Sequence, residues 1–336
     1  MTIPTAAHDG PPPPAPARSA SGLLARRPRP PWRSLAILVP FALLFVGLSI
    51  KSGPFLTKGN LLNIADQQSA ILIIATAGTL VLISGGLDLS VGATYALSGV
   101  ASAMVAQHHG VLAGVLVALA IGLAVGLTNG VISTVLRINS LIATLAMSFI
   151  ISGLATRVSG GNLIVLTEHP EYSKLAQTEF LTVRTSVWIA LVVIVLVGLL
   201  LSRSTQGRYM YAAGGNAEAA RLAGIRIDAV RILAFALSGL AAAIGGLIDT
   251  SRVLSAQSSA GSDLAFTVLA GIVVGGTSIL GGEGAVWRTV VGVLFIALVG
   301  NGFDLLGIDP LYRQITLGVI LLLAVGIDAW SRTRRR

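Results

Sequence analysis

Asp88 is the first residue that invites a chemical reading. It stands in SGGLDLSVG, residues 84–92, where Gly85, Gly86, Ser90 and Gly92 interrupt two apolar stretches. A carboxylate within a bilayer is costly and marks a functional site by default. A carboxylate or hydroxyl just ahead of a helix can equally accept from its free first-turn amides. Both uses are open for Asp88, and capping through its own oxygen or that of Ser90 is the simpler. A second break, GGTSILGGEGAV at 275–286, contains Gly275, Gly276, Gly281, Gly282 and Glu283. It has no GK[ST] and follows no strand, so it is not a phosphate-cradling loop. Its glycines suit tight turns and close helix approach. The pair of breaks hints at an internal duplication, a common construction in transporters.

Enzyme chemistry finds little to work with. The four histidines (His8, His108, His109, His169) form no HExxH pattern, and the chain has no cysteine, so thiolate, disulfide and Cys-ligated metal chemistry are excluded. No cofactor is implied, and without a Walker A motif the chain cannot itself hydrolyse ATP. Inside the apolar stretches the polar candidates are Thr76, Thr79, Thr128, Asn129, Thr144, Ser148 and Asn301. Thr79, Asn129, Thr144 and Asn301 are the candidates for lining a solute pathway. Helix–helix hydrogen bonding is the commoner use of such residues in lipid. Asp249 and Arg252 are placed to pair at the outer end of one stretch, while Asp304, Asp309 and Arg313 gather around a link. Carboxylates this sparse argue against a carrier driven by an ion gradient. They suit a machine that moves a neutral polar solute with energy supplied from outside.

The elements that must position these groups are membrane helices. Hydrophobic residues make up 54% of the 336-residue chain and charged residues 11%, against roughly 25% charged in soluble domains. A span needs about 20 mostly apolar residues. The stretches 34–50, 67–86, 90–106, 111–136, 139–157, 185–202, 230–250, 263–280, 284–306 and 311–330 qualify, the third and eighth containing glycines and polar residues that predict short or broken helices. The expected fold is an all-α polytopic membrane protein of about ten transmembrane helices with both termini cytoplasmic, some helices broken at the Gly-rich motifs. Arg18, Arg26, Arg27, Arg29, Arg33, Arg137, Arg203, Arg208, Arg221, Arg226, Arg231, Arg332, Arg334, Arg335 and Arg336 then all fall inside, as the positive-inside rule requires. The net charge of +9 reports orientation and contact with anionic membrane lipid rather than nucleic-acid binding. Residues 1–33 read as a disordered Pro/Arg-rich cytoplasmic tail, 34–330 as the transmembrane domain and 331–336 as a basic cytoplasmic tail. The apolar run after Arg33 ends in IKSGPF with no small-residue cleavage site, which predicts a retained span. The external loop 158–184 carries Glu168, Glu171 and Glu179 with Pro170 and Tyr172. It could hold a short surface helix and serve either as a plain loop or as a docking face for an external partner.

Within the cytoplasmic loop 203–228 one short helix is written out. Asn216 is a natural N-cap, Glu218 and Arg221 suit the helix dipole and can pair at i, i+3, and Gly224 can take the left-handed conformation that ends a helix. Ala219, Leu222 and Ala223 form a small apolar face. Such a helix is either a docking element or a loop packed on its own bundle.

Taken in order, GGLDLSVG at 85–92, TLAMSFIISGLA at 144–155, QGRYMYAAGGNAEAARLAGI at 206–225 and GIVVGGTSILGGEG at 271–284 resemble the permease subunits of bacterial ATP-binding-cassette importers for simple sugars, of the ribose/xylose/galactoside type. The resemblance covers about residues 35–330, with Asp263-Leu264 where members often carry Glu-Leu, and Thr144-Leu145-Ala146 where they carry Thr-Leu-Gly. It implies a permease dimer, from two copies or a paralogous pair, in the bacterial inner membrane. It also implies two cytoplasmic ATPase subunits and an external solute-binding protein. Asn216, Glu218, Ala219, Ala220, Arg221 and Gly224 would then form the helix that contacts the ATPase. Branched-chain amino acids or a sugar derivative are the alternative solutes, and an ion-gradient carrier is the alternative class.

Overall fold

A computed structural model describes residues 37–333, with side-chain surroundings given through Gly326. The Pro/Arg-rich tail 1–33 and Arg334, Arg335 and Arg336 lie outside the described residues, as do the side chains of 327–333. Twelve α-helices are described: α1 (Leu38–Lys51), α2 (Lys58–Ile83), α3 (Val91–Thr134), α4 (Ser140–Ser159), α5 (Lys174–Gln177), α6 (Thr185–Arg203), α7 (Thr205–Gly215), α8 (Ala217–Leu222), α9 (Ile227–Val253), α10 (Leu264–Val274), α11 (Val286–Leu306) and α12 (Tyr312–Thr333). Two small antiparallel ladders join β1 (Ile164–Val165) to β4 (Ser255–Ala256) and β2 (Glu179–Phe180) to β3 (Val183–Arg184). Six helices, α2, α3, α4, α6, α9 and α11, are long and apolar enough to cross a membrane. The fold is thus an all-α polytopic membrane protein.

Two helices form the centre. In α2 and α9, 78% and 67% of the most apolar window is buried, against 22% in α3, α4 and α6. Leu, Ile and Val of α2 pack on α10 and α11 on one side and on α6, α7 and α9 on the other. The outer helices turn large apolar side chains outward, among them Leu116, Phe149, Ile150 and Leu196, as lipid-facing helices do.

The ten apolar stretches map onto nine helices, because α3 contains two of them. Its 44 residues are interrupted at Gly110, whose φ of 81° and ψ of 168° are non-helical. The chain reverses there, since a Cβ on Gly114 would lie 2.6 Å from the carbonyl oxygen of Ser102 in the preceding half. The predicted stretches 90–106 and 111–136 are therefore the arms of one hairpin. The second arm lies close on α9: a Cβ on Gly126 would sit 2.8 Å from Cα of Ala236, the small-residue packing that membrane interfaces favour. The eighth stretch is short, as its glycines foretell. At 1.5 Å per residue the eleven residues of α10 span about 16 Å, roughly half a hydrocarbon core.

The 158–184 loop is pinned to the bundle. It contains a 3₁₀ turn (Pro170–Ser173) followed by α5, the short helix expected there. Tyr172 is fully buried, and its hydroxyl meets Ser102 Oγ at 2.5 Å. Ser251 Oγ on α9 donates to the carbonyl oxygen of Tyr172 at 2.7 Å and accepts from the amide of Ala176 at 3.0 Å. Glu168, Glu171 and Glu179 remain exposed on its outer side.

Candidate functional site

The short helix expected within 203–228 is α8, of six residues, too short to persist on local propensity alone, and its ends are fully specified. Asn216, in the extended conformation, accepts through Oδ1 from the amide of Ala219 at 3.0 Å. Gly224 has a φ of +80°, and beside it the amides of Gly224 and Ile225 return to the carbonyls of Arg221 and Ala220 at 2.9 and 3.1 Å. This closes the last turn in the Schellman manner. Glu218 and Arg221 approach to 3.9 Å with both side chains largely exposed, a weak surface pair. Ala220 is the residue that faces inward, at 4% exposure. Ala219, Leu222 and Ala223 all face outward, and Leu222 is 83% exposed. The apolar face of α8 is therefore not used by its own bundle.

Behind α8 both glycine-rich breaks converge on the end of α7. A Cβ on Gly281 would lie 2.9 Å from Cα of Gly85 and 3.1 Å from Cα of Gly214. The amide of Gly282 donates to the carbonyl of Ile83 at 2.8 Å, Tyr211 Oη to the carbonyl of Gly284 at 2.9 Å, and Arg231 Nε to the carbonyl of Ser84 at 3.0 Å. Three backbones thus meet with no side chain between them. The end of α7 is in direct backbone contact with the end of α2 and with the α10–α11 connection.

Asp88 accepts from the head of α3 and also reaches beyond it. Its Oδ1 accepts from the amide of Ser90 at 3.0 Å and from Ser90 Oγ at 2.7 Å, and its Oδ2 accepts from Ser238 Oγ of α9 at 2.8 Å. Ser90 sits in the helical region (φ −81°, ψ −7°) and makes no side-chain cap. Its hydroxyl is turned toward Asp88 and accepts from Asn129 Nδ2 at 2.7 Å. The cap through Ser90 is not made because that hydroxyl is committed to a tertiary network, which ties the first break to α9 and to the second arm of α3, while Asp88's own oxygen meets the amide at the head of α3.

Each of the four polar residues weighed for a pathway makes a bond between segments. Thr79 Oγ1 meets Thr289 Oγ1 at 2.7 Å, Asn60 and Asn301 exchange amide bonds at 2.8 and 3.1 Å, and Thr144 Oγ1 accepts from the amide of Leu89 at 3.0 Å. Asn129 holds Ser90 as above. None of the four lines the cavity of about 310 Å³ between the start of α3, α4 and α10. Its polar lining is made of hydroxyls, namely Ser148, Ser152 and Thr156 from α4 and Ser258, Ser259 and Ser262 from the segment before α10, with no charged side chain. Thr144, Ser148, Ser152 and Thr156 recur every four residues and so share one face of α4. Of the cavity's α4 hydroxyls sequence reasoning singled out only Ser148, although the four-residue period extends to Ser152 and Thr156.

A second set of residues missed from the sequence stands at the opposite end. Asp66 of α2 has a side chain only 3% exposed; it pairs with Arg184 at 2.7 Å and accepts from Ser186 Oγ. Arg252 donates to the carbonyl of Asp66 at 3.0 Å and pairs with Asp249, as expected of Asp249 and Arg252, while Tyr95 Oη donates to Asp249 at 2.5 Å. Asp304, Asp309 and Arg313 form no ion pair with one another, and Asp309 Oδ1 accepts from the amide of Leu311 at 2.9 Å.

This fold is that of a polytopic membrane protein with a capped short helix at one end and a hydroxyl-lined cleft within. The chain belongs to the family described as branched-chain amino acid transport system / permease component, which matches residues 60–325. It is 37% identical over 295 residues to the ribose import permease protein RbsC of Escherichia coli (strain K12), covering 87% of this chain and 92% of that one. It is 36% identical over 306 residues to the L-arabinose transport system permease protein AraH of the same strain, covering 91% and 93%. Over 292 residues it is 39% identical to that strain's probable ABC transporter permease protein YphD, covering 87% and 88%. These relatives are of the kind that the ordered motifs resemble.

Proposed function

We propose that this chain is the permease subunit of an ATP-binding-cassette importer for a simple, ribose-like sugar in the bacterial plasma membrane. The relatives named for ribose and L-arabinose support the solute class, and so does the cavity. A neutral polyol is satisfied by hydroxyls, whereas the paired charges of an amino acid need ionic partners in a low-dielectric site. The cavity beside α4 offers six hydroxyls and no charge. The reading therefore favours a sugar over a branched-chain amino acid.

The observation that carries the coupling assignment is the outward apolar face of a doubly capped α8. An external binding protein delivers the sugar, and the exposed glutamates of the 158–184 loop are its contact. Two separate ATPase subunits hydrolyse ATP and close on α8, held by Ala219, Leu222 and Ala223. The Gly85–Gly214–Gly281 junction carries that movement to both breaks, and the cleft changes the side to which it opens. In this reading two permease subunits, identical or paralogous, enclose the pathway. Each contributes ten membrane segments, counting both arms of α3 and the short α10, with both termini in the cytoplasm.

The test is uptake into proteoliposomes that carry the permease, the ATPase and the binding protein. ATP-dependent sugar uptake, insensitive to a protonophore and abolished by Glu218→Arg or Gly224→Pro in protein that still reaches the membrane, is expected. Wild-type rates in both variants would remove α8 from the coupling path, and protonophore-sensitive uptake would make the chain a secondary carrier.

A further inference from the structure

A second cleft, of about 440 Å³, opens behind α8. Three arginines reach it from three separate segments: Arg137 from the α3–α4 link, Arg221 from α8 and Arg231 from α9. The one carboxylate in its lining is Asp228. Among the described residues no carboxylate lies within ion-pairing distance of Arg137 or Arg231, and Arg221 reaches Glu218 only at 3.9 Å. Like charges gathered this way repel unless an anion joins them.

The rest of the lining keeps that space available. Gly85 and Gly86 form its floor; a Cβ on Gly85 would come within 3.3 Å of Arg231 Nη2, and one on Gly86 within 3.2 Å of the Phe235 ring. Arg231 donates Nε to the carbonyl of Ser84 at 3.0 Å, which fixes the guanidinium and leaves its Nη groups beside the glycine floor. Ser133 Oγ, also in the lining, is buried and has no hydrogen-bond partner. Arg137 is held at a φ of +56°, a conformation non-glycine residues rarely adopt. Strain of this kind collects at ligand sites.

We propose that this cleft binds a phosphate group, carried by a soluble phosphate monoester or by an anionic lipid headgroup, and that the bound anion ties α8 to the α3–α4 link. Guanidinium groups recognise phosphate oxygens in pairs, and the volume admits a phosphate with several attached carbons. The outward apolar face of α8 stays free for a protein partner, so the two surfaces are separate. The inference goes beyond the importer assignment and does not depend on it.

The full chain in phosphatidylcholine nanodiscs, with or without phosphatidylglycerol, is titrated calorimetrically with inorganic phosphate and with glycerol 3-phosphate. Saturable binding is expected, weakened about tenfold or more by Arg137→Gln, which removes one charged hydrogen-bonding partner, and partly restored in Arg137→Lys. Arg137 is exposed and ion-pairs with no carboxylate, so an unchanged melting temperature is the folding control. Loss of the soluble ligand's binding in phosphatidylglycerol discs, with Arg137-dependent retention of that lipid, identifies the headgroup as the source. Binding that persists there identifies the soluble ester. Absence of saturable binding in the lipid-free-anion discs without Arg137-dependent lipid retention, or binding indifferent to Arg137→Gln, overturns the proposal. So does a purely protein role, in which Arg137→Gln weakens only association with the ATPase.

Discussion

Replacing Leu222 with alanine separates docking from folding more sharply than any other change in α8. Full burial of a leucine side chain is worth about 1.5–3 kcal/mol. Leu222 is 83% exposed, so about 1.2–2.5 kcal/mol of that is left for a partner to gain. Truncation to alanine forfeits at most this amount, which sets the loss in ATPase affinity at up to about 8- to 70-fold. The folded permease should hardly respond, because exposed substitutions of this kind fall within about 0.5 kcal/mol. The assay is association of purified ATPase with the permease in nanodiscs, run beside thermal unfolding of the permease alone. Affinity within twofold of wild type would refute the argument that this face docks. A melting temperature lowered in proportion to the affinity would show that Leu222 stabilises the permease instead.

Gly214→Ala drives a methyl group into the backbone carbonyl of Ile83 and to 2.7 Å from the amide nitrogen of Gly282; overpacking costs about 1–3 kcal/mol, and more against rigid backbone, so the melting temperature should fall and ATP hydrolysis should continue with less uptake per ATP. Ser152→Phe fills the hydroxyl-lined cleft from the α4 face; sugar uptake should fall while basal ATP hydrolysis and ATPase affinity stay unchanged, and undiminished uptake would place the route elsewhere. Burial pushes the Tyr172 phenol from its ordinary 10.0 up to about 12. A raised folded value means that the unfolded chain releases this proton first. The stability contributed by neutral Tyr172 is therefore complete below pH 10 and is lost as pH rises toward about 12. Denaturant unfolding at several alkaline pH values should show that decline in wild type and a shallower one in Tyr172→Phe.

The residues of α8 were legible because capping is local chemistry. Asn216 and Gly224 act on amides and carbonyls within one turn, and Glu218 and Arg221 pair across i, i+3, so their spacing alone specifies the helix and its ends. Period and hydropathy likewise marked where the apolar helices lie, including the shortness of α10. The hydroxyl period on α4 was equally present in the chain, but a stripe of hydroxyls reads the same whether it faces a neighbour, a cleft or its own backbone carbonyls.

The sequence by itself determined the class of protein, its helical segments, the capped short helix α8 and the two glycine-rich breaks. Those follow from composition and from interactions over a few residues. Only the tertiary structure decided what the breaks are for: Gly85, Gly214 and Gly281 are far apart in the chain and meet because none has a side chain to hold the backbones apart. It also turned Ser90 from a cap into a bridge between Asp88 and Asn129, and joined Asp66 to Arg184. Pairing across such separations is set by how whole helices pack, and the burial that makes it strong exists only once they have done so.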